Sequence, residues 1–144
     1  ALDRGFLLDG YPRDIDQAES LDTVVKINLA LQIKIGDAES LRRLLGRRQC
    51  TGCEIIFHVE DHPSQVPDVC DACGKTLVQR EDDHEDVIRA RLVAYHFMTE
   101  PLASYYRQQG VFLAVKGEQP VASLCEELVR KITKLGFVPK KKTV

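Results

Sequence analysis

Apolar and polar positions along the chain change period several times, and each change marks an element. Phe6-Leu7-Leu8 is an uninterrupted apolar triplet that predicts a buried strand, followed by the turn-rich Asp9-Gly10-Tyr11-Pro12-Arg13. Asp14-Ile15-Asp16-Gln17 then predicts a helix start with Asp14 as N-cap. Leu29, Leu31, Ile33 and Ile35 alternate with Ala30, Gln32 and Lys34, the period of two that predicts a second strand, and Gly36-Asp37 open a helix expected to run through Arg48. Helical spacing returns at His84, with Val87, Ile88, Leu92 and Tyr95 on one stripe and Pro101 expected to end or bend the helix. Val111 to Val115 predicts a third strand. Pro120 opens a last helix with Val121, Leu124, Cys125, Leu128, Ile132 and Leu135 on one face, stopped by Gly136. Strands alternating with helices predict an α/β fold whose parallel sheet is flanked by helices.

Between Arg47 and Asp83 this rhythm breaks. The segment is poor in apolar residues, contains Pro63 and Pro67, and carries four of the five cysteines. It reads as an insertion, which divides the chain into a core of residues 1–46 and 84–144 and an inserted unit of residues 47–83. Cys50-x2-Cys53 and Cys70-x2-Cys73, sixteen residues apart, have the spacing of a tetrahedral four-cysteine zinc site. Four thiolates leave no coordination position for water, so the expected role of Zn(II) is structural. Cys125, on the apolar face of the last helix, is expected to pack in the core.

Composition narrows the function classes. Hydrophobic residues are 44% and charged residues 29% of 144, an ordinary globular balance. The net charge of -2 argues against a general nucleic-acid or membrane-surface binder. The inserted unit is more acidic still: Glu54, Glu60, Asp61, Asp68 and Asp71 face Lys75 alone between Gln49 and Gln79, so a phosphate backbone would be repelled. The longest apolar stretch, Val111 to Val115, is far short of the roughly 20 residues that span a bilayer. No secretory signal pattern opens the chain, so a cytoplasmic protein is expected; a monomer is expected as well. Lys140-Lys141-Lys142 is expected to be a solvated, frayed end.

Arginines gather at both edges of the insertion. Arg43 and Arg47 are four apart on the expected helix, Arg80 follows the second cysteine pair, and Arg89 and Arg91 open the next helix. Arg91 lies close to the apolar stripe, where a guanidinium must meet an anion. Each could simply pair with Asp82, Asp83, Glu85 or Asp86, but arginine's planar fork of donors also suits a polyphosphate clamped beneath a mobile lid. Asp9, just past the end of the first expected strand, stands where an open α/β sheet binds ligands; it is a turn-former or a partner for hydrated Mg(II).

These motifs resemble adenylate kinases of the long-lid form with a zinc-binding lid. Phe6 to Arg13 is similar to that family's strand and monophosphate-binding loop, Leu45-Gly46-Arg47-Arg48 to its lid entry, and Gln79-Arg80-Glu81-Asp82-Asp83 with Arg89-x-Arg91-Leu92 to its lid exit. The resemblance implies a nucleoside monophosphate kinase fold and reversible, Mg-dependent phosphoryl transfer from ATP to AMP, giving two ADP. It implies that Gly10, Arg13, Gln17, Arg80 and Arg91 bind AMP, with Gln17 at the adenine. It implies that Arg43, Arg47 and Gln119 bind ATP, Arg43 by stacking on the base and Gln119 through its backbone. Arg47, Arg80, Arg91 and Asp9 would then be catalytic, Asp9 in the magnesium shell. Asp14-x-x-Gln17 is equally a capping box. The alternatives are a nucleoside monophosphate kinase using GTP or another base, and a non-catalytic zinc-ribbon binding module.

No G-x-x-x-x-G-K-[ST] occurs in the sequence. With Ala1 first and an apolar triplet within eight residues, the chain reads as lacking N-terminal strands and the phosphate cradle. By the family's strand order, strands from both sides of a gap are expected.

Overall fold

A computed structural model describes residues 5–137 of the chain. Helix α1 (Ile15–Asp22) starts where Asp14 accepts the Gln17 N–H at 2.8 Å. Strand β1 (Ala30–Lys34) pairs in parallel with β5 (Phe112–Lys116), with Ala30 opposite Phe112 and Lys34 opposite Lys116. Helix α2 (Asp37–Leu45) follows β1, and helix α5 (Val121–Lys134) follows β5. From Glu85 the backbone is helical almost to Gln108: α3 (Glu85–Ala94), a π-helical turn at Tyr95–Thr99, then α4 (Leu102–Gln108). The i→i−5 bond from the Glu100 N–H to the Tyr95 carbonyl widens the turn just before Pro101. Between α2 and α3 lies a second sheet, antiparallel in the order β3-β2-β4: β2 (Arg47–Cys50), β3 (Ile56–His58) and β4 (Leu77–Val78). A 3-10 turn at Glu81–Asp83 leads out of it.

The parallel sheet with flanking helices bears out the expected α/β architecture. Its core joins Ala18 of α1 with Leu102 and Tyr106 of α4, packed on Ile15, Ile27, Ala30, Val111 and Phe112. The antiparallel sheet has its own cluster of Cys50, Phe57, Cys70 and Leu77.

Four expectations need correction. Phe6-Leu7-Leu8 is not a buried strand: the three are exposed, Leu7 at 90%, and no strand among the described residues runs beside them. An apolar triplet cannot form a parallel ladder without a neighbour to accept its hydrogen bonds. Helix α2 stops at Leu45, short of Arg48, because β3 and β4 pair with residues 47–50 from either side and the backbone cannot serve both ladders. Arg43 and Arg47 therefore do not share a helical face. Cys125 is exposed, not core, since α5 presents the Leu124, Leu128 and Ile132 side of its stripe to the protein. The remaining expectation, for Lys140-Lys141-Lys142, falls outside the described residues.

Candidate functional site

The four cysteines come from two tight turns. Residues 50–53 leave β2 and residues 70–73 precede β4, and β2 pairs with β4 through Cys50 and Leu77, so the turns face each other. All four Sγ atoms lie within 4.8 Å of one another, with Cys50 to Cys73 at 3.4 Å and Cys53 to Cys70 at 3.5 Å. These four residues could hold a metal ion. A tetrahedron of sulfurs about 2.3 Å from its centre has edges of about 3.8 Å, close to what the chain already provides. Their electrostatics points the same way. The Cys53 N–H, against burial but helped by the Gly52 N–H and neighbouring sulfurs, holds Cys50 down to about 6. The Ile55 N–H favours the Cys53 thiolate, yet burial and the other three sulfurs push that thiol up to about 12. Four bare thiolates repel one another, and a central cation removes the conflict.

A second group of residues is carried by the loop before α1. Asp9 is exposed, and Gly10 takes φ +71°, a left-handed conformation that suits glycine. Arg13 folds back so that its Nε donates to the Gly10 carbonyl at 2.7 Å; a Cβ on Gly10 would meet Arg13 Nη2 at 3.1 Å. Gln17 is engaged locally: its Oε1 accepts the Arg13 N–H at 2.8 Å and its Nε2 donates to Asp14 at 2.8 Å. The capping reading of Asp14-x-x-Gln17 thus holds in the structure, with Arg13 as the reciprocal donor. The Thr99 hydroxyl donates to the Arg13 carbonyl at 2.7 Å, tying this loop to the helical run that carries Arg91.

Arg47, Arg80 and Arg91 meet around the 3-10 turn. Arg47, at the start of β2, grips Asp83 through Nε at 2.7 Å and Nη2 at 2.6 Å; Asp83 is fully buried. Arg80 and Arg91 share Asp82, Arg80 with two bonds of 2.9 and 3.1 Å and Arg91 through Nη1 at 3.2 Å to the Oδ2 that Arg80 also uses. Burial would raise the Asp82 carboxyl, but the two guanidiniums hold it below the usual carboxylate range. Arg91 therefore meets its anion within the chain, on an exposed side of α3 beside the Ile88 stripe. Arg89 pairs with Glu85 at 2.6 Å, and Arg48 is tied to the Leu45 and Arg47 carbonyls, so neither joins the group around Asp82.

Arg43 reaches a different loop. Its Nε donates to Glu39 at 2.6 Å and its Nη2 to the Gly117 carbonyl at 3.3 Å, which brings α2 to the loop containing Gln119. Gln119 turns its amide onto the Lys116 carbonyl and Glu127. Gly117 has to be glycine: a Cβ there would lie 2.7 Å or less from both Ile33 and Ile35.

Sequence reasoning missed Arg42, Glu39 and the depth of Asp83. Arg42 looks like one more helix arginine, yet all five of its N–H groups are used, on Glu39, Glu60 and Asp61. Only the i,i+3 spacing to Glu39 was a readable signal; the other two partners are 18 and 19 residues away.

Comparison with known proteins supports the motif reading. Residues 1–111 match the family model for adenylate kinase. The chain is 43% identical over 133 residues to an adenylate kinase of Caldicellulosiruptor bescii, covering 89% of this chain and 62% of the relative. It is 42% identical over 129 residues to one from Clostridium acetobutylicum, covering 86% and 60%, and 39% identical over 128 residues to one from Thermococcus kodakarensis, covering 85% and 57%. The chain thus spans about three fifths of the length of these curated relatives. With the family model matched over more than half of the chain and the lid-edge arginines, cysteine turns and glycine loop disposed as described, the chain belongs to the adenylate kinase family.

Proposed function

We propose that this protein transfers a phosphoryl group reversibly between ATP and AMP, with Mg(II) on the nucleotide and Zn(II) held by Cys50, Cys53, Cys70 and Cys73. The observation that carries the reading is the convergence of Arg47, Arg80 and Arg91 on Asp82 and Asp83, from a strand, a loop and a helix, with Arg47 brought in from 36 residues away. The exposed Asp82 bonds are of the kind that phosphate oxygens can replace, because a surface carboxylate holds a guanidinium only weakly. The Arg47–Asp83 pair is bidentate with its carboxylate fully buried, so it fixes the guanidinium and leaves the Nη1 edge outside the pair. Phosphoryl transfer asks for positioned positive charge and exclusion of water more than for covalent chemistry.

In this reading Gly10, Arg13, Gln17, Arg80 and Arg91 serve AMP, with Gln17 exchanging capping for base contact. Arg43, Arg47 and Gln119 serve ATP, and exposed Asp9 serves the hydration shell of Mg(II). Residues 47–83 form the lid over a core of residues 1–46 and 84–144. No helix among the described residues is long and apolar enough to cross a membrane; a cytoplasmic monomer without nucleic-acid affinity fits the acidic insertion. A glycine-rich loop ending in Lys and Ser or Thr, absent from these 144 residues, is the part the reading further needs.

Steady-state kinetics with ATP and AMP on the protein at its full encoded length tests this. Arg80→Ala and Arg91→Ala should each lower phosphoryl transfer on the order of 10^3-fold, and Arg48→Ala far less. Equal, mild losses for all three would reduce these arginines to surface ion pairs.

A further inference from the structure

Among the described residues, Glu39 is the one carboxylate bonded to both Arg42 and Arg43. Its Oε1 takes Arg43 Nε at 2.6 Å and Arg42 Nη2 at 2.9 Å, and its Oε2 takes Arg42 Nε at 2.8 Å. The two guanidiniums, Arg42 first, hold the Glu39 carboxyl down at about 2, so it stays ionised at any working pH. Arg42 then spans to the turn after β3, bonding Glu60 at 3.0 Å and Asp61 at 3.1 and 2.9 Å. That turn is anchored in turn by His58, whose Nδ1 accepts the Glu60 and Asp61 backbone N–H groups.

Resting on the reading above, in which Arg43 stacks on the base of ATP, we infer that Glu39 is a positioning residue for that base and that Arg42 couples its grip to the place of the lid. A guanidinium is planar, and all of its hydrogen bonds lie in the plane. Glu39 holds Arg43 at one edge and the Gly117 carbonyl holds it at another, so its hydrogen bonds use the edges and leave stacking to a face. The neighbouring carboxylate also cancels much of the Arg43 charge. Arg43 then acts as a stacking surface rather than a competitor for phosphate. Fixing the side chain beforehand removes an ordering cost from nucleotide binding. Because the same carboxylate holds Arg42, a shift of the Glu60–Asp61 turn changes the bonds that Glu39 makes and reaches Arg43 through it. No lid residue has to touch the base.

The test is calorimetric titration of ATP and, separately, AMP into the protein at its full encoded length, with matching kinetics. Arg43→Ala should weaken ATP about tenfold through the lost stack. Glu39→Gln, nearly isosteric, should weaken ATP about fivefold and raise the KM for ATP to match, with kcat and the AMP affinity within twofold. Glu39→Asp should recover part of the loss. Arg42→Ala should weaken ATP about twofold to threefold although it touches no nucleotide. The unchanged AMP affinity distinguishes positioning from general damage to the fold. If Arg43→Ala weakens ATP and Glu39→Gln does not, the positioning role is overturned and the reading of Arg43 stands. If Arg42→Ala leaves ATP unchanged, the coupling to the lid is overturned. If the unaltered protein binds no ATP, or Arg43→Ala binds it equally well, the underlying reading fails and the inference falls with it.

Discussion

The antiparallel sheet buries only Cys50, Phe57, Cys70 and Leu77, and two of those four are metal-binding candidates. The parallel sheet and its helices bury Ala18, Leu102 and Tyr106 in one cluster, yet leave large apolar side chains exposed, among them Val121 at 75% and Val129 at 60% on α5. The first region is too small to hold itself by apolar burial, and its chain is drawn together at four sulfurs. The second relies on apolar faces packed against other elements. Small units need a staple, whereas layered sheets need neighbours. Between them, the Arg47–Asp83 pair joins the first residue of β2 to the turn before α3.

Chelation should separate the two regions most sharply. Stripping the Zn(II) proposed for the four sulfurs with a strong chelator should cost on the order of 10 kcal/mol of local folding free energy in residues 47–80, and Cys70→Ser, which leaves three thiolates, should cost less, while α1 and α4 keep their protection. Amide hydrogen exchange reads this directly; uniform loss across the chain, or none, would break the comparison. Asp83→Ala tests the joint: it strands the Arg47 guanidinium and should destabilise by about 3 kcal/mol, the low end for buried pairs because Arg47 keeps 24% of its side chain exposed. Denaturant unfolding should then show the two regions losing cooperativity.

A smaller effect is expected at Gly46, where a Cβ would collide with the His58 ring that β3 lays across it. Gly46→Ala should cost about 2 kcal/mol by overpacking and should displace the inserted sheet before it disturbs α2, as chemical shifts would reveal. The smallest effect belongs to the helical region alone. His96 bridges Glu100 at 2.8 Å and Asp37 at 2.9 Å, and those carboxylates raise its pKa above the usual 6.5. A raised folded-state value means that its stabilisation is fully present below about pH 6.5 and is lost as pH rises through the elevated value. The melting temperature should fall slightly more between pH 6 and pH 8 in the unaltered chain than in His96→Gln. The exchange rates of residues 47–80 should not follow.

Much of this organisation was legible in the residues. The alternation at Leu29 to Ile35 became β1, the apolar run at 111–115 became β5, and Asp14 caps α1 as its type and place foretold. Two Cys-x2-Cys turns announced a cluster that the fold then closed to within 4.8 Å. Local chemistry governs these features, since an N-cap, a two-residue period and a tight turn each act over a few positions. Phe6-Leu7-Leu8 shows the limit: apolar character marks a wish to be buried and cannot supply the neighbouring strand.

The residues alone announce β1, β5 and most of the helices, the four-sulfur cluster and the set of arginines at the edges of the insertion, but not β2, where a helix was expected. Where α2 stops, which acid each arginine meets, and the hold of Glu39 on two guanidiniums emerge once the chain has folded. The reason is physical. Backbone preferences and turn chemistry act between near neighbours, but a guanidinium finds its partner through space, and Arg47 and Asp83 are 36 residues apart until two strands and a turn bring them within 2.6 Å.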